Sequence, residues 1–207
     1  IGFGLLFIGL NFLQENMPNI QENPEILNFL HNYTDLGYGS YILFMLIGTA
    51  LTILIQSSSA TMALTLVMCA NGWIGFDIAA SMVLGENIGT TITANLAAMV
   101  ANTTAKRAAF AHFLFNLFGV AWVLAIFPFF LGWVAQLSIY LGIGDPFTSV
   151  GSVPVALSLF HTCFNVANVL ILIWFTKIIA NLVTHIIKSK ESADDAFTLK
   201  HIKIGLL

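Results

Sequence analysis

The chain has 207 residues, 58% of them hydrophobic and only 8% charged, with a net charge of −3 and a mean hydropathy of +0.90. That balance excludes an ordinary soluble domain, and its seven Lys and Arg form no basic face, which excludes a nucleic-acid binder. What remains is an integral membrane protein, and the runs Leu36–Phe76, Asn87–Ala105, Ala108–Gly144 and Pro146–Thr176, all free of charge, are long enough to cross the hydrocarbon as helices.

The chain opens on Ile1-Gly2-Phe3-Gly4, with no Met, no basic stretch and no cleavage site, and is expected to be a piece of a longer protein. Gly2–Leu13 reads as a short helix. Gln14–Leu36 is a polar segment carrying Glu15, Glu22, Glu25 and Asp35 but no Lys or Arg. Tyr38–Ile55 and Thr61–Ala70 are apolar arms on either side of Gln56-Ser57-Ser58-Ser59-Ala60. The turn signal Asn71-Gly72 follows. Ile78–Leu84 reads as a half-length helix, broken by Gly85-Glu86-Asn87-Ile88-Gly89-Thr90-Thr91 and resumed at Ile92–Val100. Asp77 is expected to cap its start. Ala108–Leu131 reads as a full span, Gly132–Ser152 as a glycine-rich connection and Val153–Ile187 as a last long helix, with a polar tail from Lys188. Cys69 and Cys163, both in apolar segments, are expected to be inert thiols.

Lys106, Arg107, Lys177, Lys188 and Lys190 mark one side as cytoplasmic, and the segments without Lys or Arg face outward. An odd number of crossings must then separate Asp35 from Lys106. A re-entrant hairpin over residues 38–70 with Gln56–Ser59 at its tip, followed by one broken crossing helix over 73–104, meets that count. Spans over 108–131 and 153–187 complete the membrane region, 1–187, and 188–207 is a cytoplasmic tail. The fold class expected is therefore all-α: a polytopic membrane protein with a re-entrant helical hairpin and a broken transmembrane helix.

The cluster at Gln56–Ser59 is where function should sit. An unpartnered buried hydroxyl or amide costs roughly 2–7 kcal/mol, so polar side chains set in an apolar run call for a ligand. Single Ser or Thr residues in such helices often bond back to a carbonyl four residues earlier, but the Gln56 amide has no such outlet. Asn87, Thr90 and Thr91 offer further oxygen ligands at the second interruption. Interrupted helices present positive N-terminal ends to anions and free carbonyls to sodium. No Lys or Arg lies near either interruption, so an anion held there needs co-bound cations. Glu86 is balanced between an ion or proton site and a wet vestibule. His112 and His161 read as satisfied core histidines, and Asn116 and Asn165 as fasteners between helices. Two echoes, His-x-x-Phe-Asn at 112–116 and 161–165, and Ile-Gly-Thr at 47–49 and 88–90, suggest internal duplication.

Taken together, Gln56-Ser-Ser-Ser-Ala-Thr61, Gly85-Glu-Asn-Ile-Gly-Thr-Thr-Ile-Thr-Ala94 and Ala105-Lys-Arg-Ala-Ala-Phe-Ala-His-Phe-Leu-Phe-Asn116 resemble the type II sodium–phosphate cotransporter family, over about Gly2 to Ile187. The resemblance implies two inverted repeats, each with a Gln-Ser-Ser-Ser hairpin, of which this chain would be the second. It implies sodium-dependent symport of inorganic phosphate across the plasma membrane, with sodium as coupling ion, no cofactor and a missing N-terminal repeat as partner. Gln56, Ser57, Ser58, Ser59, Asn87, Thr90 and Thr91 would bind substrate, and Gln56, Ser58, Ser59 and Thr90 would hold sodium. The rival readings are an intramembrane serine hydrolase using Ser57, Ser58 or Ser59 with His112 or His161, and a structural membrane subunit that transports nothing.

Overall fold

The computed structural model describes residues 2–15 and 32–188. The acidic stretch within Gln14–Leu36 and the tail after Lys188 lie largely or wholly outside the described residues, and the expectations placed on them go no further. Among the described residues the chain is all-α, in the order α1 (Gly2–Glu15), α2 (Tyr38–Ile55), α3 (Ser58–Ala70), α4 (Phe76–Ala98), α5 (Thr103–Ala125), α6 (Phe127–Tyr140), α7 (Val153–Leu172) and α8 (Thr176–Ile186). Single 3₁₀ turns at Val150–Ser152 and Ile173–Phe175 flank α7. Tyr38–Ile55, Thr103–Ala125 and Val150–Ile186 are long and apolar enough to cross a membrane. The protein is a multi-pass membrane protein.

The centre of the molecule is α4. Its residues Ala79, Ala80, Val83 and Leu84 are fully buried, and it packs against α2, α3, α5 and α7. At 23 residues it is roughly 34 Å long at 1.5 Å per residue, enough to run the depth of a bilayer. α2 lies beside it in parallel: the Tyr41 hydroxyl sits next to Asp77, Thr49 donates to the Gly85 carbonyl at 3.0 Å, and Thr52 meets Gly89. α3 runs back the other way, with Thr65 against Glu86 and Cys69 beside Gly75 and Asp77. Both open ends of the α2–α3 hairpin therefore lie at the start of α4, and its tip stops partway along α4.

Charge is divided between the two ends. Asp77 lies at one, beside the Pro146–Thr148 loop that follows Asp145. At the other, Arg107 donates from Nε to the Ile187 carbonyl at 3.0 Å, next to Lys106 and Lys188.

Four expectations need correction. First, α4 is not broken at Gly85–Thr91; it is continuous from Phe76 to Ala98. Its polar side chains return their hydrogen bonds to the helix, Asn87 to Val83 O at 3.0 Å, Thr90 to Glu86 O at 2.8 Å and Thr91 to Ile88 O at 2.7 Å. Its glycines serve close packing. A Cβ on Gly85 would overlap the Met45 carbonyl, and one on Gly48 the Met82 carbonyl. The Ile-Gly-Thr echo is thus a pair of facing contact surfaces. Second, the helix starts at Phe76 with Gly75 at its N-cap, so Asp77 sits in the first turn, where its charge suits the helix dipole. Third, α5 ends at Ala125 and a separate helix opens at Phe127 with Pro128 in its first turn, which shortens the expected span and the expected connection alike. The long last helix is likewise divided by the turn at Ile173–Phe175.

Fourth, Asn116 and Asn165 do not fasten helices: each bonds back to the histidine carbonyl four residues earlier, at 3.1 and 2.8 Å. Asn168 does that work. It is fully buried, accepts from Trp122 Nε1 at 3.2 Å and donates to the Phe115 carbonyl at 3.3 Å, filling the space over Gly119. Asn168→Leu should destabilise the α5–α7 contact by about 1–2 kcal/mol. In the detergent-solubilised full-length protein this should appear as a melting point lower by roughly 2–8 °C; an unchanged melting point would show that the bond adds nothing.

Candidate functional site

The sequence breaks between α2 and α3 because two residues there leave the helical region. Gln56 takes a left-handed conformation, φ 57°, the sole non-glycine to do so among the described residues. Such a conformation costs on the order of 1–2 kcal/mol and is characteristic of functional sites. Ser57 is extended and caps α3, its Oγ accepting from Ala60 N at 3.3 Å, while its carbonyl accepts from Thr61 N at 3.1 Å. The N–H groups of Ser58 and Ser59 are left without acceptors in the helix. On the other side of the turn, Gln56 N closes on Thr52 O at 2.8 Å, and the carbonyls after Thr52 have no intrahelical donor. One two-residue turn therefore joins a cluster of free carbonyls to a cluster of free N–H groups. The first end carries partial negative charge and the second partial positive charge.

Beside this turn lies a cavity of about 270 Å³ lined by Ser58, Ser59, Met62, Glu86, Asn87 and His161, among others. Three helices supply its polar groups: the start of α3, the middle of α4 and the middle of α7. Glu86 is 2% exposed. Its Oε1 accepts from Thr65 Oγ1 at 2.8 Å, and Oε2 has no hydrogen-bond partner among the described residues. A carboxylate buried with one oxygen unsatisfied is expensive unless a cation or donor reaches it.

Of the residues marked by sequence, Ser58, Ser59 and Asn87 line the cavity, and Gln56 and Ser57 form the adjoining turn. Gln56 and Ser59 are exposed on the surface of this chain, while Ser57 and Ser58 are half-buried. Thr90 and Thr91 are not among the lining residues, and Thr91 is fully buried. Glu86 and His161 belong to the site by position. His112 is exposed. Sequence reasoning had no means to reach Thr65, since its partner Glu86 lies 21 residues away.

Comparison with known families decides the class. The sequence pattern described as "Na+/Pi-cotransporter" matches residues 5–162. The chain belongs to the Na+/Pi-cotransporter family. "Uncharacterized protein YqeW" of Bacillus subtilis is 32% identical over 92% of this chain and 57% of its own length. "Putative inorganic phosphate export protein YjbB" of Escherichia coli is 29% identical over 100% of this chain and 35% of its own. Human "Sodium-dependent phosphate transport protein 2C" is 40% identical over 41% of this chain and 15% of its own. The chain thus spans 57% or less of the length of these relatives. No solved structure matches. Membership of a transporter family displaces the serine hydrolase reading. Among the described residues neither Ser58 nor Ser59 donates to His161, and nothing orients the ring as a triad requires.

Proposed function

We propose that this chain is the second half of a symporter that moves inorganic phosphate together with sodium across the plasma membrane. One observation carries the reading: a helix–turn–helix tip, with free N–H groups on one side and free carbonyls on the other, adjoins a cavity that holds an orphaned carboxylate oxygen. The N-terminal end of α3, with the Ser58 and Ser59 hydroxyls, suits an oxyanion. The carbonyls ending α2, the Gln56 amide oxygen and Glu86 suit sodium. Asn87 adds an amide to the same cavity, while Thr90 stands one turn beyond Glu86, outside the lining, its hydroxyl donating to the Glu86 carbonyl. The names of the human and Escherichia coli relatives, which specify sodium-dependent phosphate transport and phosphate export, support the cargo.

In this reading the hairpin is re-entrant, opening at the acidic end, and the end with Lys106, Arg107 and Lys188 faces the cytoplasm. The exposed faces of Gln56 and Ser59 are where the N-terminal repeat would close the site. Electrical work sets what inward movement requires. Carrying HPO₄²⁻ into a negative interior costs about 4.6 kcal/mol at ~100 mV; two sodium ions cancel that term and a third makes entry favourable. Export needs no such help from the potential. Proteoliposomes containing the full-length protein should accumulate labelled phosphate on an inward sodium gradient and stop when choline replaces sodium. Accumulation indifferent to sodium would reject coupling, and a preference for outward movement would reject the inward direction alone.

A further inference from the structure

We propose that His161 is the substrate's donor on α7, its imidazole N–H holding a phosphate oxygen across the cavity from Ser58 and Ser59. The proposal rests on the phosphate reading above and adds a third helix to the site. His161 lines the same cavity as the two serines, Glu86 and Asn87. Its backbone carbonyl accepts from Asn165 at 2.8 Å, but its ring makes no hydrogen bond to any described residue. A half-buried imidazole must place at least one N–H, and an unmet donor is unfavourable. Among the described residues no side chain takes that donor, and the residue lines the empty volume.

His112 shows that the local pattern alone does not create this arrangement. It has the same His-x-x-Phe-Asn spacing and the same back-bond, Asn116 to His112 O at 3.1 Å. Its side chain is nevertheless exposed and away from the cavity. What distinguishes His161 is that α7 passes the N-terminus of α3. The unpartnered Glu86 Oε2, almost wholly buried in the same cavity, is a second and independent sign that a ligand is due there.

The arrangement also sorts charge. Glu86 makes its side of the cavity hostile to an anion and receptive to a cation. The anion is then driven toward the groups that donate: the start of α3 and the His161 ring. Neither Glu86 nor His161 spends its capacity on the other, since no ion pair joins them among the described residues.

The test uses the full-length protein in proteoliposomes, with phosphate and sodium dependence measured separately. His161→Phe keeps a flat ring and loses the donor; His161→Gln keeps an N–H. Phe should raise the KM for phosphate about tenfold or more, with the sodium dependence unchanged, and Gln should restore most of the affinity. Phe matching the natural protein, or Gln failing as badly as Phe, overturns the proposal. Should the Phe variant fail to fold, diethyl pyrocarbonate labelling of the unmodified protein decides. Phosphate with sodium should protect His161, sodium alone should not, and equal labelling under all conditions overturns it. If the unmodified protein takes up no phosphate, the functional reading itself fails, an outcome distinct from either result above.

Discussion

Full-length protein carrying Ser58→Ala is expected to reach the membrane in normal amounts and to take up phosphate with kcat/KM reduced roughly 10–150-fold, the loss of one hydrogen bond to a charged group. The structure separates this residue from its neighbour. Ser58 begins α3 and lines the cavity, and its hydroxyl makes no hydrogen bond to the described protein. Removing it takes nothing from the fold. Ser57 faces the helix instead, its Oγ accepting from Ala60 N, so Ser57→Ala should mainly lose a cap, about 1 kcal/mol of stability. Uptake assays beside thermal melts of the two variants would resolve the contrast. Normal uptake by Ser58→Ala removes that side chain from the site, whatever the fate of Ser57.

The hairpin was legible because its signal is local. Polar residues interrupt an apolar run at Gln56–Ser59, and such an interruption has few structural outlets in a membrane helix. The chain does turn there, at Gln56 and Ser57. The same logic misread Gly85–Thr91. Glycine and polar side chains look like a break from sequence, but Asn and Thr satisfy themselves on the helix behind them, and glycine admits a neighbouring backbone. Only the arrival of α2, some 36 residues earlier in the chain, decides between these meanings. The bend at Ile126 has a local sign in the sequence: Pro128 suits the first turn of a new helix. Asn168 had no such sign. It lies three residues beyond Asn165, and which of the two reaches α5 is fixed by how α7 is rotated. His161 and His112 share a sequence pattern and part company for the same reason.

The largest effect on the molecule as a whole should come from Gly85→Val. At this point the backbones of α2 and α4 touch, and a Cβ on residue 85 would overlap the Met45 carbonyl and approach Thr49 N to 2.8 Å. Thr49 pins the contact, its hydroxyl directed to Met45 O at 2.9 Å and Gly85 O at 3.0 Å. Gly48 and Gly89 flank it, the latter with 2.6 Å between a built Cβ and Thr52 Cβ. With three such points in one register, the helices cannot part at one of them alone. Overpacking a core by a few atoms costs about 1–3 kcal/mol, and a branched side chain against backbone exceeds that. Set against a total stability of about 5–15 kcal/mol, the variant should yield little folded protein, read as monodisperse material in detergent, and Gly85→Ala should fall between. Gly132, on α6, has nothing within 4 Å of a built Cβ, so Gly132→Ala should be neutral or stabilising by up to about 1 kcal/mol. The pair distinguishes the two meanings of glycine in this chain. If Gly85 served to break α4, alanine would cost little more there than at Gly132. If it admits α2, the two substitutions diverge, and Glu86 and Asn87, the next residues along, lose their place in the cavity with it. Gly85→Val melting like the unaltered protein would leave the α2–α4 seam without its cause.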